Sequence, residues 1–199
     1  LANFRAIFDV GNSLAKSLQN AYPAELSASF PCQFQLVSSG QIASEDTANL
    51  NEVVSVFLHR ITINPNFRAA TRILDEPGKQ PLLFLDLHYL LTYWGTSAEA
   101  EQTVLGWAMQ QMQEFPELDS SVLSTAAAWD TNETVQMVPA DLSLEDILRI
   151  WDALGPKYRL SVSYLARVVR IDRTVVDSAP VVATRFLLDT AAVQSGGAA

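Results

Sequence analysis

The chain has 199 residues, a formal net charge of −9 at pH 7 and a pI near 4.6. Apolar residues make up 49% and charged residues 18%, enough for a substantial core and against global disorder. The acidic balance lacks the basic footprint of a nucleic-acid binder, one cysteine (Cys32) excludes an internal disulfide, and no apolar run reaches the ~18 residues of a spanning helix.

In chain order, Phe4, Ile7, Phe8, Leu14, Ala15, Leu18 and Tyr22 recur at three and four, bridged by Gly11. They predict an amphipathic helix that Pro23 stops, covering one face of a sheet. Phe34–Val37 reads as a short strand and Ser38–Asn51 as a polar loop. Cys32 has no basic neighbour to activate it as a nucleophile.

Glu52–Asn64 is rich in β-branched residues and predicts a long strand. Val54, Val56, Leu58, Arg60 and Thr62 share one face, and Phe57, His59, Ile61 and Ile63 the other. Asn64–Gln80 is a long connection carrying Arg68, Arg72 and Lys79, of a length more often functional or interfacial than idle.

The chain is organised around Pro81–Gly95, PLLFLDLHYLLTYWG. Alternate residues Leu83, Leu85, Leu87, Tyr89, Leu91 and Tyr93 form a wholly apolar face. The opposite row sets Asp86 and His88 among Phe84, Leu90, Thr92 and Trp94. Both faces need cover, which is the pattern of a central strand.

Thr96 or Ser97 caps a helix running to about Phe115, with Val104, Leu105, Ala108, Met112 and Phe115 as its stripe and Met109 and Met112 as gap-fillers of the core. Glu117–Asn132 is irregular, with a short helix near Val122–Ala127, and Thr134–Pro139 reads as a brief strand. Ser143 caps a second clear helix, whose stripe is Leu144, Ile147, Leu148, Trp151 and Leu154; Gly155 and Pro156 end it. Trp107 and Trp151 read as packing residues. Arg159–Asp172 is a third long strand, with Leu160, Val162, Tyr164, Ala166 and Val168 on one face. Beyond Arg173, VVATRFLLD reads as an edge strand or arm, and 191–199 as a frayed end.

Among reactive side chains, Asp86 and His88 lie two apart on one strand face, where a carboxylate can orient an imidazole. His59 on another strand can join them, with Ser161 or Ser163 as nucleophile by residue type. This is the pattern of a small hydrolase or metal enzyme; a buried polar cluster bonded inside the sheet is the simpler alternative. Neither a phosphate-binding P-loop nor a G-x-G-x-x-G turn occurs, so no nucleotide cofactor is expected.

Four stretches, IFDVGNSLAKSL (7–18), FLHRITINPNFR (57–68), PLLFLDLHYLLTYWG (81–95) and LSLEDILRIWDALGPKYRLSVSYLARVVRID (142–172), occur in an order that resembles one family. It is the cap, or tail-terminator, family of phage-tail-like contractile injection systems, of the Photorhabdus virulence cassette and antifeeding prophage type. The resemblance covers roughly residues 1–172. It implies an α/β (α+β) fold with a single mixed sheet of about four to six strands flanked by helices. It implies a tail-terminator-like domain over 1–172 and a C-terminal arm over 173–199. The implied role is structural and without catalysis or cofactor: a homo-hexameric ring, assembled in the cytoplasm, that ends the inner tube and binds the last sheath ring. No membrane insertion is implied, and an assembly adaptor for the same particle is the nearest alternative. Asp86, His88, Tyr89, Trp151 and Tyr164 then become structural motif residues. Arg60, Arg68, Arg159 and Arg167 become candidates for pairing between subunits or with tube and sheath. Val181–Leu188 is a candidate for sheath contact by strand addition.

Overall fold

The structure, a computed structural model, describes residues 2–43, 50–67 and 82–171. Arg68, the rest of the connection up to Pro81, and the arm beyond Ile171 lie outside the described residues. The elements run α1 (Ala6–Ala21), α2 (Ala24–Ser29), β1 (Gln33–Val37), α3 (Ser39–Ala43), β2 (Val53–Ile63), β3 (Leu83–Trp94), α4 (Ala98–Glu114), β4 (Glu117–Leu118), β5 (Val135–Pro139), α5 (Leu144–Leu154) and β6 (Ser161–Ile171). One 3₁₀ turn follows β2 at Pro65–Phe67, and another spans Thr125–Ala127. The strands form one six-stranded mixed sheet in the order β1-β2-β3-β6-β5-β4, with β1 parallel to β2 and every other pair antiparallel.

β3 lies between the two other long strands, as its sequence demands, and its two rows of side chains enter two cores. Leu85, Leu87, Tyr89, Leu91 and Tyr93 join residues of α1 and α4 in the larger core. Leu90 and Trp94 point the other way and pack with Ile42 of α3 and Trp151 of α5. Trp94 and Trp151 meet edge to face at 5.9 Å. Local signals set the helix starts. The Ser97 hydroxyl accepts a bond from the Ala100 N–H at 3.3 Å, and the Ser143 hydroxyl accepts one from the Asp146 N–H at 3.1 Å. Gly155 closes α5 at φ 93°, a conformation open to glycine.

Several expectations are corrected. Ser38–Asn51 is not all loop, since α3 occupies its start and buries Ile42. Phe4 and Phe8 are exposed rather than in the stripe of α1, which buries Ala6, Val10, Leu14, Ala15 and Leu18. Met109 and Phe115 of the α4 region are exposed while Met112 is buried. On α5 Trp151 is buried with Ile147 and Leu154 packed against the same core, as expected, whereas Leu144 and Leu148 face outward.

A buried acid also lies inside the stripe of α1. The Asp9 carboxylate accepts bonds from the Trp129 indole N–H at 2.6 Å and the Ser124 backbone N–H at 2.9 Å, tying the irregular 119–132 region to the helix. These charge-assisted bonds offset the cost of burying the carboxylate.

Gly11 lets α1 approach the sheet. A Cβ there would stand 2.7 Å from Leu36 Cδ1 and 3.1 Å from Tyr89 Cε1. The Tyr89 ring is fully buried and has nowhere to retreat. Gly11→Ala is therefore expected to destabilise the fold by about 1–3 kcal/mol through overpacking, less the ~1 kcal/mol that alanine gains as a helix former. Urea denaturation of the two proteins checks this, and an alanine variant more stable than wild type refutes the tight approach.

Candidate functional site

Of the three residues that sequence reasoning grouped, His88 and His59 meet ring to ring, while Asp86 takes other partners; all three lie where β3 meets irregularities in its neighbours. Leu58 pairs with Tyr89 and Arg60 with His88, so His59 is an extra residue and β2 bulges there. On the other side, Leu85 pairs with Val169 and Leu87 with Ala166, so Arg167 and Val168 together oppose Asp86. Each bulge switches the faces beyond it. Arg60 and Thr62 come to lie opposite His88 and Asp86, while Ile61 and Ile63 oppose Leu87 and Leu85. On β6, Val162, Tyr164 and Ala166 continue past the bulge into Val169 and Ile171, and Val168 leaves that row. The face assignments made from strict alternation therefore hold only up to Leu58 and Ala166.

Asp86 holds this region together. Both its oxygens accept from the Asn64 side-chain amide at 3.0 Å, and Oδ1 also accepts from the Val168 backbone N–H at 3.2 Å. Val168 sits at φ 60°, left-handed backbone that costs a β-branched residue of order 1–3 kcal/mol. The bond to Asp86 helps to hold that conformation. Asn64, only 2% exposed, donates its backbone N–H to the Phe84 carbonyl at 3.0 Å and accepts from the Asn66 N–H at 3.0 Å. It thereby fixes the Pro65–Phe67 turn, whose Phe67 ring stacks on Phe84 at 4.9 Å. Sequence reasoning missed Asn64. The available signal was an asparagine directly before a proline at a strand end, a place where its side chain closes turns.

His88 Nε2 lies 3.0 Å from Thr62 Oγ1, and its ring meets that of His59 edge to face at 5.9 Å. Both imidazoles are held below their usual pKa, His59 at about 4, chiefly by burial and then by neighbouring positive charge, from His88 and Arg60 for His59 and from Arg60 for His88. Ser161 and Ser163 are not placed as nucleophiles for this pair. They oppose Thr92 and Leu90, further along β3; Ser161 Oγ lies 2.8 Å from Thr92 Oγ1, and Ser163 donates to the Tyr89 carbonyl at 3.4 Å. Among the described residues, no three His, Cys, Asp or Glu side chains are grouped to hold a metal. Burial pushes the Cys32 thiol up to about 12, which leaves it unreactive.

The remaining candidates divide by burial. Tyr89, Trp151 and Tyr164 are core residues, and the Tyr89 hydroxyl lies 3.5 Å from the Ile7 carbonyl. Arg159 is engaged within the chain: it donates to the Gly95 carbonyl at 3.1 Å, and its guanidinium lies 4.8 Å from the centre of the Trp94 ring. Arg60 and Arg167 are exposed. Arg68 lies outside the described residues.

A six-stranded mixed sheet with helices on both faces, and a bulged polar knot on its central strand, defines a scaffold of the α+β class. Residues 9–184 match the family described as the Pvc16 N-terminal domain, and the chain belongs to that family. Among solved structures, it is similar to the cryo-EM structure of the anti-feeding prophage cap (AFP tube terminating cap), at 17% identity and a TM-score of 0.55 over 91% of this chain and 61% of that one. The PVC sheath/tube terminator of an extracellular contractile injection system, in its extended state, is similar at 18% identity and a TM-score of 0.48 over 95% of this chain and 65% of that one. The chain thus spans somewhat under two thirds of the length of both. No curated protein matches it.

Two outcomes follow for the polar knot. Asp86→Ala leaves the Asn64 amide and the Val168 N–H without their acceptor and is expected to cost about 1–3 kcal/mol by chemical denaturation; unchanged stability would mean the carboxylate does not hold the bulge. His59 supplies a pH dependence. The unfolded imidazole titrates near 6.5 and the folded one near 4, so between these values the unfolded chain binds the extra proton. This contribution is complete above about pH 6.5 and is lost as the pH falls towards 4. Denaturation midpoints at pH 7 and pH 5 check it: the fall is expected to be smaller in His59→Leu than in wild type, and equal falls refute it.

Proposed function

We propose that this chain is a structural cap of a contractile injection particle: a homo-hexameric ring that ends the inner tube and binds the last sheath ring. The observation that carries this reading is membership of the Pvc16 N-terminal domain family over residues 9–184. Similarity of fold to the AFP tube terminating cap over 91% of the chain agrees with it. A tube grows because each end repeats a head-to-tail interface, and a closed ring stops that growth. A ring also turns weak contacts of single protomers into simultaneous ones, which raises avidity. The role needs a rigid scaffold with exposed contact groups, and Arg60 and Arg167 on the sheet are candidates for contacts with neighbouring subunits, tube or sheath. Asp86, His88 and His59 serve as scaffold residues in this reading, not as catalysts, and assembly takes place in the cytoplasm.

Native mass measurement of the purified chain, with negative-stain images of the same sample and of that sample mixed with tube protein, tests the proposal. Six-fold rings, free or seated on tube ends, are the expected result. A chain that stays monomeric and leaves tube ends bare overturns it.

A further inference from the structure

β1 pairs with β2 only as far as Val37 opposite Phe57, so from Leu58 onward the outer edge of β2 is bare among the described residues. A groove of about 710 Å³ opens there, lined by Phe4 and Phe8 at the start of α1, Leu36 of β1, and Phe57, Leu58 and His59 of β2. Phe4 and Phe8 are 71% and 64% exposed, which makes this a continuous apolar patch and not a scatter of single residues. No carboxylate lines the groove among the described residues. The positions next to Phe4 and His59 are exposed arginines, Arg5 and Arg60. In a chain of net charge −9, the border of the groove is locally positive.

A second open surface has the opposite charge. Ile147 and Trp151 hold α5 against Ile42 and the sheet. Leu144 and Leu148 lie at the border of that contact, 65% and 41% exposed, and with Asp152 they recur at four and form one row along the helix. The exposed charges around this row are Asp141, Glu145, Asp146 and Asp152 against a single base, Arg149, which is itself paired with Glu145 at 2.6 Å. Both surfaces stay open in one folded chain, so they do not satisfy each other within it. One is concave, apolar and bordered by arginines; the other is convex, apolar and bordered by carboxylates. An apolar centre with complementary charge at the rim is the anatomy of a protein interface, and a helix row in a groove is a common way to build one. Because the two surfaces occupy different places on the chain, contact between them is head to tail, the kind that closes into a ring. We propose that the Leu144–Leu148 row of α5 in one copy seats in the Phe4–Phe8 groove of the next copy. This contact rests on the cap reading and gives its ring an interface.

Native mass and negative-stain images of the full chain, alone and with tube protein, test it through two variants at exposed positions, Phe8→Glu and Leu148→Glu. Each variant alone is expected to lose the rings, free or seated on tube ends, with association weakened at least about tenfold. Mixed and briefly crosslinked, the two are expected to give one-to-one dimers and nothing larger. The Phe8→Glu copy keeps its helix row and the Leu148→Glu copy keeps its groove, so one sound contact remains and no ring can close. Such dimers also show that both variants fold. Should a charge variant unfold, Phe8→Ala and Leu148→Ala repeat the comparison by removing only exposed side-chain atoms. Rings that persist in either variant overturn the contact and leave the cap reading standing, even where they no longer seat on tube ends, an outcome that assigns the surface to tube protein. A mixture of folded variants that stays monomeric overturns the contact as well. A wild type that stays monomeric and leaves tube ends bare overturns the cap reading and the contact together.

Discussion

The Asp86 carboxylate is the constraint on which this end of the sheet depends. It joins three segments distant in sequence: the central strand, the turn after β2 through Asn64, and the bulge of β6 through Val168. A buried charge needs such partners, and each partner needs the charge. The left-handed Val168 is costly on its own, and the Asn64 amide would be unsatisfied without it. The polar pair on an otherwise apolar strand is therefore the fastening that allows both long neighbours to depart from regular pairing.

The two bulges have a shared effect. Each adds one residue to a strand flanking β3, and each turns the remainder of that strand over. The turnover sends Ile61 and Ile63 to the larger-core side and brings Arg60 and Thr62 beside His88. Arg167 is exposed on the strand that buries Ala166 and Val169. Arg60, one of the contact candidates, owes its position to the insertion in β2. A bulge increases local twist, and the bare stretch of β2 starts beside one.

Rigid and open parts of the fold are unevenly distributed. The middle of the sheet is closed on both faces by α1, α4, α3 and α5, with Gly11 permitting close contact between α1 and Tyr89. The outer edge of β2, the exposed Phe4 and Phe8, and Leu144 and Leu148 on α5 remain open among the described residues.

The sequence by itself determined the elements whose signals are local. The three long strands follow from β-branched and alternating residues, the starts of α4 and α5 from Ser97 and Ser143, and the end of α5 from Gly155. It also marked Asp86, His88 and His59 as a group, since a polar pair in an apolar strand stands out by composition. The motifs of the central strand and of Trp151–Tyr164 pointed to the family that residues 9–184 match. Only the tertiary structure decided which face each residue takes beyond Leu58 and Ala166, because one inserted residue inverts every later side chain and nothing local announces the insertion. It likewise decided that Asp9 is a buried anchor, since its partners Ser124 and Trp129 lie more than a hundred residues away, and that Asp86 bonds to Asn64 and Val168 rather than to a histidine. Periodicity reports burial averaged over an element; which donor reaches which acceptor depends on distances that exist only once the sheet has formed.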